Sequence, residues 1–413
     1  MQFKELVKKF IPSFLLSLYH FLLAAMAALI YRFPARHLRV IGVTGTNGKT
    51  TTVHLISEIL RREGYRVASL SSISFRINEN EWPNLLKMTL PGRFQVQRFL
   101  REAVRQGCEY AVLEITSQGI VQHRHRFIRF ATAVLTNLTP EHIEAHRGFA
   151  NYRAAKAKLF QATKGIHVIN LDDENADYFL QFPAERKYTY GWENGDFNQK
   201  NLQLKLLLPG SFNVYNALAA VAVAAAEGID LMRARRIVEG VKGLPGRMEE
   251  VISAPFRVVV DYAFTPAALE KVYQALVQSS KSSTTRSLIC VLGACGGGRD
   301  KWKRPVLGEI AGKYCREIII TNEDPYDENP RQILSQIKSG IIKSQFPISN
   351  FHEILDRREA IQKALDLAQK NDIVIITGKG CEPWLCVANG RKIPWDDRQV
   401  VREEFAKIIK KKS

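Results

Sequence analysis

The stretch VIGVTGTNGKTTTVHLISEILRREG, Val40 to Gly64, decides the fold. Arg39 to Thr44 is short, β-branched and mostly apolar, and reads as a buried strand. Val53, Ile56, Ile59 and Leu60 then recur at helical spacing, and Gly64 closes the helix. Between strand and helix stand Gly45, Thr46, Asn47, Gly48, Lys49, Thr50 and Thr51. The glycines let backbone N–H groups approach an anion at a helix N-terminus, and Lys49 adds a positive charge. Thr50 is placed to ligate Mg²⁺. A standard P-loop has glycine where Val43 stands, so this loop is a variant. Strand, turn, Lys-Thr and helix in this order point to nucleotide binding. They leave open a kinase, a GTPase and an ATP-driven ligase.

The chain of 413 residues, 46% hydrophobic and 24% charged, has room for two or three globular domains. A formal charge of +18 calls for anionic company: nucleotides, a phosphorylated substrate, nucleic acid or a membrane surface. The bases are dispersed apart from the C-terminal KIIKKKS, without the aromatic-basic alternation of single-strand binders, so nucleic acid is not the expected partner. Six cysteines in a chain this long make no disulfide framework and suit a reducing cytoplasm. Cys290 with Cys295 and Cys381 with Cys386 are spaced too widely for a zinc ribbon and read as buried small hydrophobes.

Ahead of the loop, residues 11–31 contain no Asp, Glu, Lys or Arg, a length that matches the roughly 20 residues needed to cross a bilayer. Lys4, Lys8 and Lys9 precede this leader, and Arg32, Arg36 and Arg39 follow it, so the positive-inside rule gives it no orientation. Ala25-Met26-Ala27 resembles a signal cleavage site, yet an ATP-using domain just downstream would be useless outside the cell. Membrane insertion or surface anchoring is expected; the competing reading is a hydrophobic helix buried against the rest of the protein.

Downstream, EYAVLEITSQGI (Glu109 to Ile120) reads as a buried strand with Glu114 near its C-terminal end, where ligands lie in open α/β sheets. Phe130 to His146 gives a second strand and a turn carrying Glu141, His142, Glu144 and His146. Carboxylate and imidazole near bound phosphate make a reasonable Mg²⁺ environment, and equally read as loop surface. Lys156 and Lys158, on the helix NYRAAKAKLF, read by themselves as a solvated face.

GTNGKTTT, LEITSQGI, TNLTPEHIEAH, NYRAAKAKLF, NLDDEN, GSFNVYNALAA, GLPGRMEEV, VVDYAFTP, GACGGGRDKWKRP and GKGCE occur in the order shown by the Mur ligases. The chain resembles that family from about residue 39 to 402, most closely the members that add the third residue of the peptidoglycan stem peptide. The resemblance implies ATP-driven amide-bond formation: a muramoyl-peptide carboxylate is phosphorylated to an acyl phosphate, which an amino-acid amine then attacks. It implies ATP and two Mg²⁺ ions, with Thr50 and Glu114 matching ligands of the first and His142 and Lys156 matching ligands of the second. Lys156 matches a lysine that the family carbamylates; Lys158 stays an ordinary lysine. Lys49, Glu114, His142 and Lys156 take the catalytic positions. Asn213 and Asn216 match the adenine contacts, Arg247 a phosphate contact and Asp261 a ribose contact. Thr116, Ser117 and Arg124 match acceptor-binding positions, and Asp324, Tyr326, Gly378 and Glu382 those that select the amino acid. The implied fold class is α/β: a central P-loop-type ATPase with a mostly parallel sheet (39–245) and a C-terminal Rossmann-like domain (246–413), preceded by the hydrophobic leader (1–38).

The chain also departs from the pattern. The family's uridine-nucleotide-binding domain has no counterpart in the leader, so a lipid-linked acceptor is expected beside the UDP-linked one. The amino-acid motif Asp-Asn-Pro-Arg reads Glu323-Asp324-Pro325-Tyr326, which loses the arginine that grips a distal carboxylate, while Glu382 remains for a distal ammonium. Both diaminopimelate and a lysine-like amino acid stay open. Family histidines are replaced by Gln118, Phe264 and Cys381. A cytoplasmic monomer attached at the inner face of the plasma membrane is expected. The rival readings are a folylpolyglutamate- or cyanophycin-type ligase and a non-catalytic, membrane-tethered ATP-binding protein.

Overall fold

The computed structural model describes residues 12–279 and 287–412. It divides into two compact units, Met1–Lys242 and Gly243–Ser413.

Unit 1 is built on a nine-stranded sheet of order β4-β3-β2-β5-β1-β6-β7-β8-β9. Its centre is β1 (Arg39–Thr44), parallel to both β5 (Tyr110–Glu114) and β6 (Phe130–Leu135). All five residues of β5 are buried, as expected for a parallel strand covered on both faces, which explains its near-continuous apolar run. β2 (Val67–Leu70), β3 (Ser74–Ile77) and β4 (Asn80–Pro83) carry an antiparallel meander at one edge. β7 (Ile166–Asn170), β8 (Arg186–Gly191) and β9 (Phe197–Asn198) extend the parallel sheet at the other. Because the strand order reverses on either side of β1, its C-terminal end opens on a crevice. Val43 pairs with Glu114 in register, which brings the loop after β1 and the carboxylate of β5 to one edge.

Five helices matter for that edge. They are α2 (Lys49–Arg62), α4 (Ser117–Val121), α5 (Ile143–His146), α6 (Phe149–Ala162) and the alanine-rich α7 (Phe212–Ala226), with α3 (Arg93–Arg105) lying further along the sheet. Preceding them all, α1 (Ser13–Ile30) occupies most of the apolar leader. Eighteen residues of α-helix rise about 27 Å, short of a hydrocarbon core of about 30 Å. Among the described residues no helix is long and apolar enough to cross a membrane, which corrects the expected insertion. Residues 1–11, with Lys4, Lys8 and Lys9, lie outside the described residues. One side of α1 packs on the unit through Ala24, Ala27 and Ala28, and Ser17 Oγ lies 2.8 Å from His123 Nε2.

Unit 2 holds a six-stranded sheet of order β10-β11-β15-β12-β13-β14. β11 (Arg257–Val260), β12 (Leu288–Leu292), β13 (Glu317–Ile320), β14 (Phe351–Glu353) and β15 (Ile373–Ile376) are parallel; β10 (Glu249–Ile252) joins antiparallel at the edge. Val258, Val260, Ile289, Val291, Ile319, Val374 and Ile376 form its core. A short hairpin, β16 (Trp384–Cys386) with β17 (Lys392–Pro394), follows. All six cysteines are free, four of them buried.

Candidate functional site

The loop from Gly45 to Gly48 is held by its glycines and by Asn137. Gly45 has φ 146° and Gly48 φ 81°, and a Cβ added to them would fall 1.9 Å from Thr136 Oγ1 and 2.2 Å from Asn216 Oδ1. The first is a clash against a buried strand end, so only glycine fits there. Asn47 N donates to Asn137 Oδ1 (3.0 Å), and Asn137 Nδ2 and Thr136 Oγ1 both donate to Asn47 O (3.0 and 2.7 Å). Helix α2 begins at Lys49, so the loop faces the positive end of a fourteen-residue helix, with Thr50 and Thr51 buried in its first turn.

Three oxygens meet beside Lys49. Thr50 Oγ1 donates to Glu114 Oε2 at 2.8 Å, Ser72 Oγ lies 2.8 Å from Thr50 Oγ1, and Ser72 N donates to Glu114 Oε2 at 3.0 Å. Lys49 Nζ is 2.7 Å from Thr46 O and 3.9 Å from Glu114 Oε1. A buried carboxylate with two hydroxyls under a phosphate-type loop is an all-oxygen set, which suits Mg²⁺. Among the described residues, no three His, Cys, Asp or Glu side chains form a metal cage by themselves, so any ion here would take the rest of its shell from nucleotide and water.

Lys156 is the anomaly of the site. Read from sequence as a solvated face, it is 2% exposed and donates to Gly45 O at 2.7 Å, with Nζ 4.7 Å from the centre of the Tyr152 ring. No carboxylate pairs with it among the described residues. Burial, reinforced by the positive charge of Lys49, pushes its pKa well below the usual lysine value. Burial therefore disfavours the charged ammonium at this position. Tyr152 also stands 6.4 Å, ring to ring, from His142 and hydrogen-bonds Thr46 Oγ1 (3.0 Å), so it links the loop to the two residues expected at the second ion. As a free amine Lys156 is only a donor; it fits a metal site only after gaining an anionic oxygen.

The other expected residues divide. Asn213 and Asn216 are brought to the loop on α7, where Asn216 Nδ2 donates to Asn213 Oδ1 (2.9 Å) and Asn213 Nδ2 to Pro209 O (2.7 Å). Thr116 caps α4, its Oγ1 accepting from Gly119 N, and Ser117 Oγ lies 3.1 Å from His146 Nε2. Arg124 donates to Leu90 O and to Gln122 Oε1 (2.6 Å), and burial beside Arg93 lowers its pKa.

In unit 2, Asp261 accepts backbone bonds from Met248 and Ala263, both 2.7 Å; burial raises its pKa against the pull of Arg247. The Arg247 guanidinium sits 4.4 Å over the Tyr262 ring. Asp324, Gly378 and Glu382 do come together, around a residue that no role had been given. Lys379 is fully buried and donates to both oxygens of Asp324 (2.9 and 3.0 Å), to Glu382 Oε2 (2.9 Å) and to Trp384 O. Glu382 Oε1 accepts from Tyr262 at 3.0 Å. Gly378, at φ 100°, leaves space that Glu323 fills, and the Tyr326 ring packs on Gly297. Burial raises the Glu323 pKa, and Cys295 Sγ donates to it at 2.8 Å.

Sequence reasoning missed Ser72, Asn137, Tyr152 and Lys379 as parts of these clusters. Ser72 was findable in principle: it follows β2, whose Leu70 pairs with Leu113 beside Glu114. Asn137, Tyr152 and Lys379 lay inside quoted motifs, but only tertiary packing shows what they hold.

A phosphate-type loop, a buried carboxylate with hydroxyls, and a buried lysine at one edge of a parallel sheet define a nucleotide-dependent enzyme of the P-loop kind. Comparison with known proteins narrows that class. Residues 43–224 match the Mur ligase middle domain, and residues 246–380 match the Mur ligase glutamate ligase domain. A UDP-N-acetylmuramoyl-L-alanyl-D-glutamate--2,6-diaminopimelate ligase of Thermosynechococcus vestitus is 38% identical, covering 93% of this chain and 80% of its own. A UDP-N-acetylmuramyl-tripeptide synthetase of Roseiflexus sp. is 35% identical over 94% of this chain and 82% of its own. A solved UDP-N-acetylmuramoyl-L-alanyl-D-glutamate--2,6-diaminopimelate ligase superposes with a TM-score of 0.57 at 34% identity, covering 90% of this chain and 79% of that one. The folylpolyglutamate synthase of Mycobacterium tuberculosis, with a TM-score of 0.69 at 17% identity over 91% of this chain and 95% of its own, shares the fold. The chain belongs to the Mur ligase family, and it is an ATP-dependent ligase that forms amide bonds.

Proposed function

We propose that this ligase adds an amino acid to a muramoyl-peptide acceptor in peptidoglycan synthesis, through an acyl phosphate. The observation that carries the proposal is the cluster of Lys49, Thr50, Glu114 and buried Lys156 around one loop. ATP and a carboxylate repel each other, so their approach needs cations aimed at the phosphate. Loop N–H groups and Lys49 bind the terminal phosphates and offset the charge that develops as one phosphoryl group passes to the acceptor carboxylate. Thr50 and Glu114 would hold one Mg²⁺ and His142 with Lys156 a second, and the ions would supply Lewis-acid neutralisation of the same oxygens. The Lys156 amine attacks CO₂ and loses a proton; the carbamate oxygen so formed is the anionic group this position lacks as a free amine. The acceptor's amine partner then displaces phosphate from the acyl carbon. Asn213 and Asn216 are assigned to adenine, Arg247 and Asp261 to nucleotide phosphate and ribose, and Thr116, Ser117 and Arg124 to the acceptor.

The incoming amino acid is assigned to the cluster of Asp324, Tyr326, Gly378 and Glu382. Tyr326 offers one neutral hydrogen bond where an arginine would hold a carboxylate with two, while Glu382 suits a distal ammonium. The acceptor's carrier is a lipid or uridine diphosphate, and the enzyme works as a monomer attached at the inner face of the plasma membrane.

The test supplies ATP, Mg²⁺, muramoyl-dipeptide in soluble and lipid-linked forms, and a panel including diaminopimelate and lysine, and reads phosphate release and product mass. Phosphate release that depends on both acceptor and amine supports the proposal. Nucleotide breakdown indifferent to both, or none with any pair, overturns it.

A further inference from the structure

Helix α1 is inside out. Its small residues Ala24, Ala27 and Ala28 face the unit, whereas Phe14 (68% exposed), Leu18, Leu22, Leu29 and Ile30 face away from it. A helix on a water-soluble surface has the opposite pattern, and a contiguous apolar patch of this kind marks a binding face.

The stretches of chain that include this helix and its neighbours carry charges of one sign. Residues 6–57, 82–101 and 115–140, which include α1, the start of α3 and the segment around α4, contain no aspartate or glutamate. Arg32, Arg36, Arg93 and Arg126 stand in these stretches, and none forms an ion pair among the described residues. Arg93, Arg126 and Lys158 act on His123, to which Ser17 near the start of α1 is bonded, and burial together with these charges lowers the His123 pKa; Arg32 and Arg36 follow the other end of the helix. Close by, a cavity of about 330 Å³ is lined by Gln118, His146, Arg147, Asn151 and Lys158. Arg147 and Lys158 have no ion-pair partner among the described residues either. Two unpaired cations with an amide and an imidazole suit phosphate oxygens.

We propose that α1 lies in the plane of an anionic bilayer, its outward side chains among the acyl chains and lipid phosphates held by the surrounding cations, with Arg147 and Lys158 taking one in the cavity. This deepens the attachment proposed above and rests on that reading only for its purpose, the meeting with a membrane-borne acceptor. Two other occupants fit less well. Crossing the bilayer would put every side of the helix in lipid, yet the alanine side is already packed. A second copy seated on the same patch would bring Arg32, Arg36 and Arg126 against their own counterparts, whereas an anionic surface supplies the opposite charge.

The experiment sediments the full chain with vesicles of phosphatidylcholine alone or mixed with phosphatidylglycerol. Expected is about tenfold stronger binding to the anionic vesicles, weakened by salt. The double variant Leu18→Glu/Leu22→Glu, exposed and outside the catalytic cluster, loses that binding while its phosphate release with soluble acceptor is unchanged. Arg126→Glu/Lys158→Glu loses about tenfold on the anionic vesicles only. Equal binding to both vesicle types, no binding to either, or a concentration-dependent dimer that the leucine variant abolishes overturns the proposal. So does full release from vesicles by inorganic phosphate, which would make the cavity a site for a soluble anion. If parent and variant alike release no phosphate, the catalytic reading fails and the vesicle result still stands.

Discussion

The two units hold the lysines of their clusters in different ways. In unit 1, Lys49 and Lys156 rest on carbonyl oxygens of the loop, Thr46 O and Gly45 O, each at 2.7 Å. In unit 2, Lys379 is clamped between Asp324 and Glu382. Glu114 reaches Lys49 only at 3.9 Å and Lys156 donates to a carbonyl, so carboxylates hold the lysines of unit 1 less tightly than Lys379, which two carboxylates hold at 2.9 Å. The difference sets the two lysines proposed for chemistry apart from one that ties Asp324 to Glu382. It also says which substitutions should stop turnover and which should loosen structure.

Removing the loop cation is the most severe way to probe it. Lys49→Ala should lower amine-dependent phosphate release by about 10³-fold, the scale for deleting one preorganised charge at a developing oxyanion. Binding of the amino acid, measured separately, should be unchanged. A loss of less than about tenfold would mean that Lys49 merely braces Thr46, and the contrast with Lys379 would collapse.

Lys379→Met attacks the other side of the comparison. It removes the ammonium from buried Asp324, which keeps its bond from Cys386 N, and breaking a buried ion pair from one side costs about 3–5 kcal/mol. Urea unfolding followed by tryptophan fluorescence should show this as an earlier transition. The same fall in the nucleotide-dependent signal of unit 1 is not expected. Should Lys379→Met be as stable as the parent but inactive, then Lys379 is chemical and not structural.

How much of this was legible in sequence follows the range of the interactions. The loop, β1 and α2 were readable because a glycine-rich turn between a β-branched strand and a helix is a local pattern, and the observed φ values of Gly45 and Gly48 are its cause. Glu114 was placed at the right strand end because strand ends follow from the apolar run before them. Lys156 was not readable from pattern alone: its neighbours Ala155 and Ala157 look like any solvated helix, and only the packing of α6 on the sheet buries it. Lys379 was hidden for the same reason, since its partner Asp324 lies 55 positions away. The leader misled in a different way. Uniform apolarity gives no sign of which side faces inward, so a stretch sized for a bilayer became a helix whose alanines pack on the protein.

Lys156 allows a finer cut. Lys156→Ala should lower turnover by about 10²-fold, partly restored by a short-chain carboxylate, and stripping CO₂ from the parent should reproduce part of the loss. Its protonation has a readable sign. The buried amine has a folded pKa well below 10.5 and the unfolded chain has the ordinary value. Between the two, the unfolded state binds the extra proton, so stability of CO₂-free parent rises with pH through that window and falls as pH drops toward the folded value. Lys156→Met should lack that slope. A parent and variant with identical pH dependence would show that Lys156 is not buried as an amine.

The mildest change tests whether unit 2's pocket selects at all. Tyr326 stands where an arginine would grip the far carboxylate of a diamino dicarboxylic acid, and its ring lies against Gly297, a position whose φ of 65° keeps the loop tight. Lys379 and Tyr262 already hold Glu382, so an arginine at 326 would meet a carboxylate partly neutralised and would be free to bind a ligand. Tyr326→Arg should therefore shift kcat/KM toward diaminopimelate over lysine by about tenfold, the worth of one charge-assisted pair in a partly solvated pocket. The shift should lie in KM, because the contact is made equally in the ground state and the transition state. An unchanged ratio would mean that the distal end of the amino acid is read elsewhere, and that unit 2's closed cluster is scaffold from end to end.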